Sequence, residues 1–136
     1  MTLQVLEAQT GKAGDSPVAT IIIMHGLGAD GNDFVPIAEQ LNLSPVGPVR
    51  FLCPFAPVIP VTINGGMAMP AWYDILAADL VRREDEAGLR SSQASIEALI
   101  AHEKSRGIGS AWRCASSTKL MVICPSLITR PESSRT

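Results

Sequence analysis

The stretch IIIMHGLGADG, residues 21–31, runs directly from an apolar segment into a glycine-rich turn. The apolar segment belongs to a longer run, 18–25, whose β-branched residues are typical of a buried strand with helices on both faces. After the turn, apolar residues recur at helical spacing, and Asn32 or Asp33 can cap that helix. Its expected apolar face consists of Phe34, Ile37, Ala38 and Leu41. This order predicts a parallel α/β sheet, with the turn at the carboxyl end of the strand, where such sheets bind ligands.

A second strand and a long loop are predicted next. Residues 49–53 are short and apolar, and Pro54 and Pro57 end that strand because proline donates no backbone hydrogen bond. The loop that follows contains a Gly-Gly turn, Trp72 and Tyr73. Loops of this kind in α/β domains lie over binding sites more often than inside the core.

A long amphipathic helix is predicted over residues 87–105. Gly107 is placed to stop it. The residues expected to pack it against the sheet are Leu89, Ile96, Leu99 and Ile100. The chain therefore has the order β-α-β-loop-α, which is typical of an α/β fold.

Composition limits the classes of function. The 136 residues are 46% hydrophobic and 18% charged, with a formal charge of −2, which favours one folded domain and gives no basic field for nucleic acid or a membrane surface. The first 14 residues do not resemble a secretion signal and no segment is long enough to span a membrane, so we expect a cytoplasmic protein. Cys53, Cys114 and Cys124 form no C-x-x-C pair, so neither disulfides, nor a metal site, nor a cofactor is expected.

The glycine-rich turn has two chemical interpretations. Gly26-Leu27-Gly28-Ala29-Asp30-Gly31 fits the G-x-G-x-x-G pattern of dinucleotide-binding modules. That pattern also needs an acidic residue about 20 positions further on to bind the ribose. Residues 47–57 contain none. A dinucleotide site is therefore the weaker alternative.

The second interpretation is a loop that binds an oxyanion. In α/β-hydrolases a His-Gly-type loop after a strand directs a backbone N–H at the oxygen that becomes negative during ester cleavage. Small residues at Gly26 and Gly28 would let the Leu27 N–H face a substrate with no Cβ in the way. The turn then supplies half of an oxyanion hole through Leu27.

Three stretches resemble the phospholipase/carboxylesterase family of α/β-hydrolases, which includes bacterial carboxylesterases and acyl-protein thioesterases. They are HGLGADGNDF (25–34), FLCPFAPVIPVTINGGMAMPAWYDI (51–75) and GLRSSQASIEALIAHEKSRGI (88–108). The resemblance implies the N-terminal portion of a three-layer α/β-hydrolase fold with a mostly parallel sheet. It also implies hydrolysis of a small acyl ester or thioester by a serine nucleophile, with a histidine base and an aspartate.

The resemblance gives roles to two aromatic side chains near the loop. Trp72 would lie beside the acyl or alcohol group as a rigid apolar wall, although a tryptophan that only covers the edge of the core fits equally well. His25 is interpreted as an anchor of the oxyanion loop rather than as a base, because the catalytic histidine of this fold comes last in chain order.

The catalytic triad of the family has no counterpart in this sequence. No Gly-x-Ser-x-Gly follows residue 108, and the nearest imitation, around Ser126, has cysteine and isoleucine where the strained turn requires glycine. Three aspartates and a histidine precede the place of the serine and cannot be carried over; they are Asp74, Asp79, Asp85 and His102. We therefore expect a chain truncated before the nucleophile elbow, and inactive by itself.

The last residues differ in character from the rest. We expect a partial hydrolase domain over residues 1–108 and a poorly ordered tail over 109–136, such as a change of reading frame would give. Because the elbow strand is central in the family, its loss should leave strand 18–25 with an open edge that self-associates, and the apolar run 120–124 should repair it only partly. The alternative function is a non-catalytic interaction piece that uses this edge or the Trp72 loop.

Overall fold

The computed structural model describes residues 2–77, 85–108 and 119–123. These residues form a four-stranded sheet, a separate two-stranded hairpin and two α-helices. Short 3-10 helices cover Gly31–Phe34 and Thr62–Asn64. In chain order the elements are β1 (Val5–Gln9), β2 (Ala19–Ile23), α1 (Val35–Gln40), β3 (Val49–Pro54), β4 (Val58–Val61), β5 (Met67–Pro70), α2 (Glu86–Ser105) and β6 (Lys119–Ile123).

The four-stranded sheet has the order β1-β3-β2-β6. Strand β2 pairs in parallel with β3 on one side and with β6 on the other, whereas β1 runs antiparallel to β3. The predicted central parallel strand and the mostly parallel sheet are therefore confirmed. Strand β1 was not predicted, because its sequence, VLEAQ, mixes apolar and polar residues within only five positions.

The two helices lie on opposite faces of this sheet, as a three-layer fold requires. Alternate residues of a strand point to opposite faces. Ala19 and Ile23 of β2 belong to a buried cluster with Ala38 of α1, whereas Thr20 donates a hydrogen bond to Glu103 of α2. Burial on both faces explains why the segment 19–23 is apolar except for Thr20, rather than alternating between apolar and polar residues.

Strand β6 occupies the side of β2 that we expected to be open. Five residue pairs align in parallel, from Ala19 with Lys119 to Ile23 with Ile123. The expectation of only a partial repair of this edge is therefore wrong, because the pairing extends along all of β2. The pairing starts one residue earlier than the predicted run 120–124. Within the described part of the chain, β6 is therefore the strand at the edge of the sheet, next to β2.

The first helix begins differently from its prediction. Asp30, and not Asn32 or Asp33, caps the 3-10 helix that leads into α1: its carboxylate accepts the Asn32 N–H at 2.7 Å, while the Asp33 carboxylate accepts the Asp30 N–H at 2.9 Å. This reciprocal capping box satisfies donors that a helix start leaves unpaired. Of the predicted apolar face, Phe34 and Ala38 pack inward, whereas Ile37 and Leu41 are exposed.

The second helix extends over Glu86–Ser105, within one residue of its predicted start. Ile96 is buried beside Met24, and Ile100 packs on the same cluster. Leu89 is 36% exposed, so its predicted packing role is wrong. The packed face of the helix instead ends in Glu103, which is fully buried. The periodicity of apolar residues could not predict the burial of this charged side chain.

Glu103 belongs to a ring of four charged side chains that joins α2 to the sheet. Its carboxylate contacts Arg50 and Arg106, each at 2.9 Å, and accepts the Thr20 hydroxyl at 2.6 Å. Glu7 closes the ring by contacting Arg50 at 3.2 Å and Arg106 at 3.1 Å. Two positive and two negative charges thus neutralise each other at the end of the sheet from which the parallel strands start.

The described residues lack two kinds of functional feature. None of their helices has the length and apolar character needed to cross a membrane. They contain no group of three or more histidine, cysteine or acidic side chains that could hold a metal ion. Cys53 carries a buried free thiol, and its burial raises its pKa.

Candidate active site

The glycine-rich turn lies at the carboxyl end of β2, as predicted. Gly28 has a φ of +72°, a left-handed conformation that favours glycine, and its N–H donates to the Pro70 carbonyl of the hairpin at 3.1 Å. A Cβ added at Gly26 would meet no atom within 4 Å, so packing does not require glycine there. Within residues 2–77 and 85–108, no oxygen accepts the Leu27 N–H. Among these residues the Leu27 N–H is therefore an unpaired backbone donor that lies between two glycines.

His25 fastens this turn to the end of β3. Its side chain is only 2% exposed, its Nε2 accepts the Ala56 N–H at 2.9 Å, and its Nδ1 lies 2.8 Å from the Gly26 carbonyl. An acceptor at Nε2 and a donor at Nδ1 define the neutral imidazole with its proton on Nδ1. Both nitrogens are occupied by backbone groups, which agrees with an anchoring role and leaves neither nitrogen to act as a base.

Trp72 forms a wall next to the turn. Its indole N–H donates to the His25 carbonyl at 2.8 Å, and the two rings are tilted with centroids 5.4 Å apart. The same side chain packs on the buried pair Met24 and Ile96. Trp72 thus covers the edge of the core and also borders the turn. The two roles that the sequence left open, a cover for the core and a wall beside the turn, are therefore compatible.

These groups enclose a pocket of about 130 Å³ at the turn. Its lining is mainly apolar, and Leu27 is the exposed apolar side chain of the turn. The lining residues are His25, Gly26, Leu27, Ala71, Trp72, Tyr73 and Ile75. Every site residue predicted from sequence contributes to this region, although Gly28 acts through its backbone rather than as lining. An apolar pocket bordered by a turn with an unpaired backbone N–H suits a short acyl chain with its carbonyl oxygen at the turn.

The carboxylate of Asp74 holds the segment that carries the Trp72 wall, a role that the sequence did not predict. Asp74 accepts the backbone N–H of Thr62 at 2.7 Å and its hydroxyl at 2.5 Å, and these hydrogen bonds lower the pKa of its carboxyl group. Asp74 therefore joins the pocket segment 72–75 to the turn that connects β4 and β5. No local pattern marks such a contact, because its partners lie 12 positions apart.

The dinucleotide alternative conflicts with the capping box. A pyrophosphate would bind at the amino terminus of the helix after the glycines. Two carboxylates, of Asp30 and Asp33, already accept the N–H groups there, and their charges repel a phosphate. Gly31 has a packing role instead, since a Cβ there would lie 2.8 Å from the Cys53 carbonyl oxygen.

A larger hollow of about 440 Å³ lies elsewhere, between β1 and α2. Its lining includes Glu7, Glu103 and Arg106, which contact one another in the ring described above. Burial alone would raise the pKa of Glu103, but hydrogen bonds from Thr20 and Arg50 and the positive charges of Arg50 and Arg106 lower it overall. These groups are engaged in stabilising the ion-pair ring, so they are not available as reactive groups in the hollow.

The residues rejected as triad members do not gather at the pocket. His102 is exposed on α2 and borders the larger hollow. Asp74 and Asp85 hold backbone groups through hydrogen bonds. Ser126 and Asp79 lie outside the described residues. Within the described ranges, no serine, histidine and aspartate converge beside the Leu27 N–H.

Comparison with known proteins agrees with this geometry. The family model described as Phospholipase/Carboxylesterase matches residues 7–113. This chain belongs to the phospholipase/carboxylesterase family. The match includes the glycine-rich turn, the Trp72 wall and all of α2, so the family resemblance seen in the sequence is confirmed.

Individual relatives of this phospholipase/carboxylesterase chain are acyl-protein thioesterases. It is 46% identical over 94 residues to acyl-protein thioesterase 1 of Mycosarcoma maydis, an alignment covering 68% of this chain and 39% of that protein. It is 42% identical over 85 residues to acyl-protein thioesterase 1 homolog 1 of Dictyostelium discoideum, covering 62% and 38%. The chain thus spans about two fifths of the length of these relatives.

Solved structures give the same picture for the fold. Acyl-protein thioesterase 2 of Zea mays superposes with a TM-score of 0.62 at 28% identity, covering 86% of this chain and 44% of that one. SOBER1 of Arabidopsis thaliana gives a TM-score of 0.62 at 30% identity, covering 67% and 44%. The family member described here therefore has the N-terminal part of an α/β-hydrolase fold. Neither the dinucleotide alternative nor the interaction-piece alternative gains support from these comparisons.

Proposed function

We propose that this chain forms the acyl-binding and oxyanion-stabilising part of a carboxylic-ester or thioester hydrolase. The observation that carries the proposal is the Leu27 N–H, unpaired within the described residues, beside a pocket walled by Trp72. Relatives named acyl-protein thioesterases support an acyl ester or thioester as the substrate class. Leu27, Trp72 and the anchor His25 are the residues we assign to binding.

The proposed chemistry follows from the positions of these groups. An ester enters with its acyl chain against the indole and its carbonyl oxygen at the Leu27 N–H. When a nucleophile adds to the carbonyl carbon, the oxygen becomes an anion and its hydrogen bond to this N–H strengthens. The anchored His25 and the left-handed Gly28 keep the donor in place before reaction, so little reorganisation is needed.

The nucleophile, the acid and the base are not assigned to residues of this chain. Its sequence contains no Gly-x-Ser-x-Gly, and both histidines have other positions: His25 is bonded to the backbone and His102 lies on α2. We therefore propose that the chain by itself binds an acyl group without turning it over. A cytoplasmic location, compatible with the free thiol of Cys53, and self-association through the outer edge of the sheet are parts of the same proposal.

A short-chain p-nitrophenyl ester tests the lack of turnover. We expect the unaltered chain to release p-nitrophenol no faster than its Leu27→Pro and Trp72→Ala variants, because proline removes the N–H donor and alanine removes the wall. Release well above both variants would show that the chain contains a complete catalytic site, and the proposed incompleteness would be rejected.

A further inference from the structure

Asp85 connects the start of α2 to the wall of the pocket. One carboxylate oxygen, Oδ1, accepts the Gly88 N–H at 3.0 Å and caps the helix. The other oxygen, Oδ2, accepts the Asp74 N–H at 2.8 Å, eleven residues back along the chain. A single side chain thus joins a helix cap to the backbone of the segment that carries Trp72.

The helix and the wall are also in close contact around this carboxylate. A Cβ added at Gly88 would lie 3.2 Å from the Tyr73 Cα and 2.1 Å from Asp85 Oδ2, so only glycine allows this approach. One turn further along α2, the Ser92 hydroxyl donates to the Trp72 carbonyl. The backbone of residues 72–74 is therefore held from the α2 side at two points, on either side of Tyr73.

We propose that Asp85 is a positioning residue for the acyl pocket, holding the Trp72 wall at its distance from the Leu27 N–H through the Asp74 N–H. The inference rests on the proposed function, because the wall matters only if an acyl group binds there. Helix capping alone needs one acceptor oxygen, which serine and asparagine supply as well as aspartate. The second oxygen has no role in the cap, and its partner belongs to the segment that lines the pocket.

Substitutions of Asp85 can therefore distinguish its role in capping α2 from its role in positioning the Trp72 wall. Asp85→Asn and Asp85→Ser each keep one acceptor oxygen for the Gly88 N–H but lack the second oxygen that accepts the Asp74 N–H. Asp85→Ala removes both acceptors. Glu86→Gln is the matched control, since Glu86 is in the same helical turn and its carboxylate contacts the exposed Arg90 rather than the wall.

The experiment measures the Trp72 wall directly. In a Trp112→Phe background Trp72 is the only indole of the chain, so its fluorescence reports the wall. We expect Asp85→Asn and Asp85→Ser to increase acrylamide quenching of Trp72. Hexanoate binding should weaken about two- to tenfold, which is the effect of losing one hydrogen bond. The melting temperature should stay near that of the parent. Glu86→Gln should change neither quantity.

The possible outcomes separate this inference from the proposed function. If Asp85→Asn and Asp85→Ser quench and bind as the parent does, and only Asp85→Ala differs with a lowered melting temperature, Asp85 is a cap alone and the inference is overturned. If the parent itself binds no hexanoate, the proposed function fails, while the quenching comparison still decides whether Asp85 holds the wall.

Discussion

His25 is the residue on which the geometry of the glycine-rich turn depends most directly. Replacing it with phenylalanine keeps an aromatic ring beside Trp72 but leaves the buried Ala56 N–H without its acceptor. We expect His25→Phe to lower the free energy of unfolding by about 1–3 kcal/mol, the cost of an unsatisfied buried donor. Urea denaturation measures this change. His102→Phe, at the exposed second histidine, is the control, and equal losses in the two variants would contradict the anchoring role.

At the scale of single residues, the sequence predicted positions that depend on neighbours in the chain. The position of His25 and Leu27 at the end of a strand could be predicted, because the strand and the glycine turn are adjacent in sequence. Trp72 was placed beside the turn by the family resemblance. Asp85 and Glu103 could not, because their roles depend on partners 11 to 83 residues away. Charged residues on a helix are usually solvated, so a buried Glu103 contradicts the ordinary expectation.

Helix α2 is docked on the sheet through Glu103 as well as through Ile96 and Ile100. Glu103→Gln removes the charge that balances the buried Arg50, and we expect it to cost about 3 kcal/mol of stability at neutral pH. Glu97→Gln, an exposed position on the same helix, should stay within about 0.5 kcal/mol of the parent. Chemical denaturation of both variants measures the difference.

The cost of Glu103→Gln should depend on pH in a defined direction. The folded chain lowers the pKa of Glu103 below its ordinary value of 4.5, so its stabilising effect is complete above about pH 4.5 and is lost as the pH falls through the lower folded value. Parent and variant should therefore converge in stability in acid. A difference that is constant from pH 7 to pH 3 would show that the charge of Glu103 does not hold the helix.

Among the elements, the sequence predicted those with strong patterns and missed those without. Strands β2 and β3 and helix α2 have long apolar runs or clear periodicity. Strand β1 is short and mixed, and the hairpin β4–β5 contains prolines at 60 and 70 that argue against strands. Each is formed by pairing with a neighbour, which a local pattern cannot show.

At the scale of the whole molecule, the pairing of β6 with β2 decides whether the sheet has an exposed central strand. A chain that ends after Ile108 lacks β6 and leaves β2 with an open apolar edge. We expect this truncation to bind more of the dye ANS, to unfold less cooperatively and to self-associate more than the full chain. Dye fluorescence, urea denaturation and light scattering measure these changes. Identical behaviour of the two chains would show that residues 119–123 contribute nothing to the sheet.

The central claim is that the turn and the Trp72 wall form one acyl-binding site with Leu27 as its donor. Titrating ¹⁵N-labelled chain with hexanoate, whose carboxylate oxygen represents the oxyanion, tests it residue by residue in NMR spectra. We predict that the largest saturable shifts occur at the Leu27 amide and the Trp72 indole, while amides of Ala98 and His102 beside the larger hollow stay in place. Shifts concentrated at that hollow, or an unmoved Leu27 amide, would contradict the account.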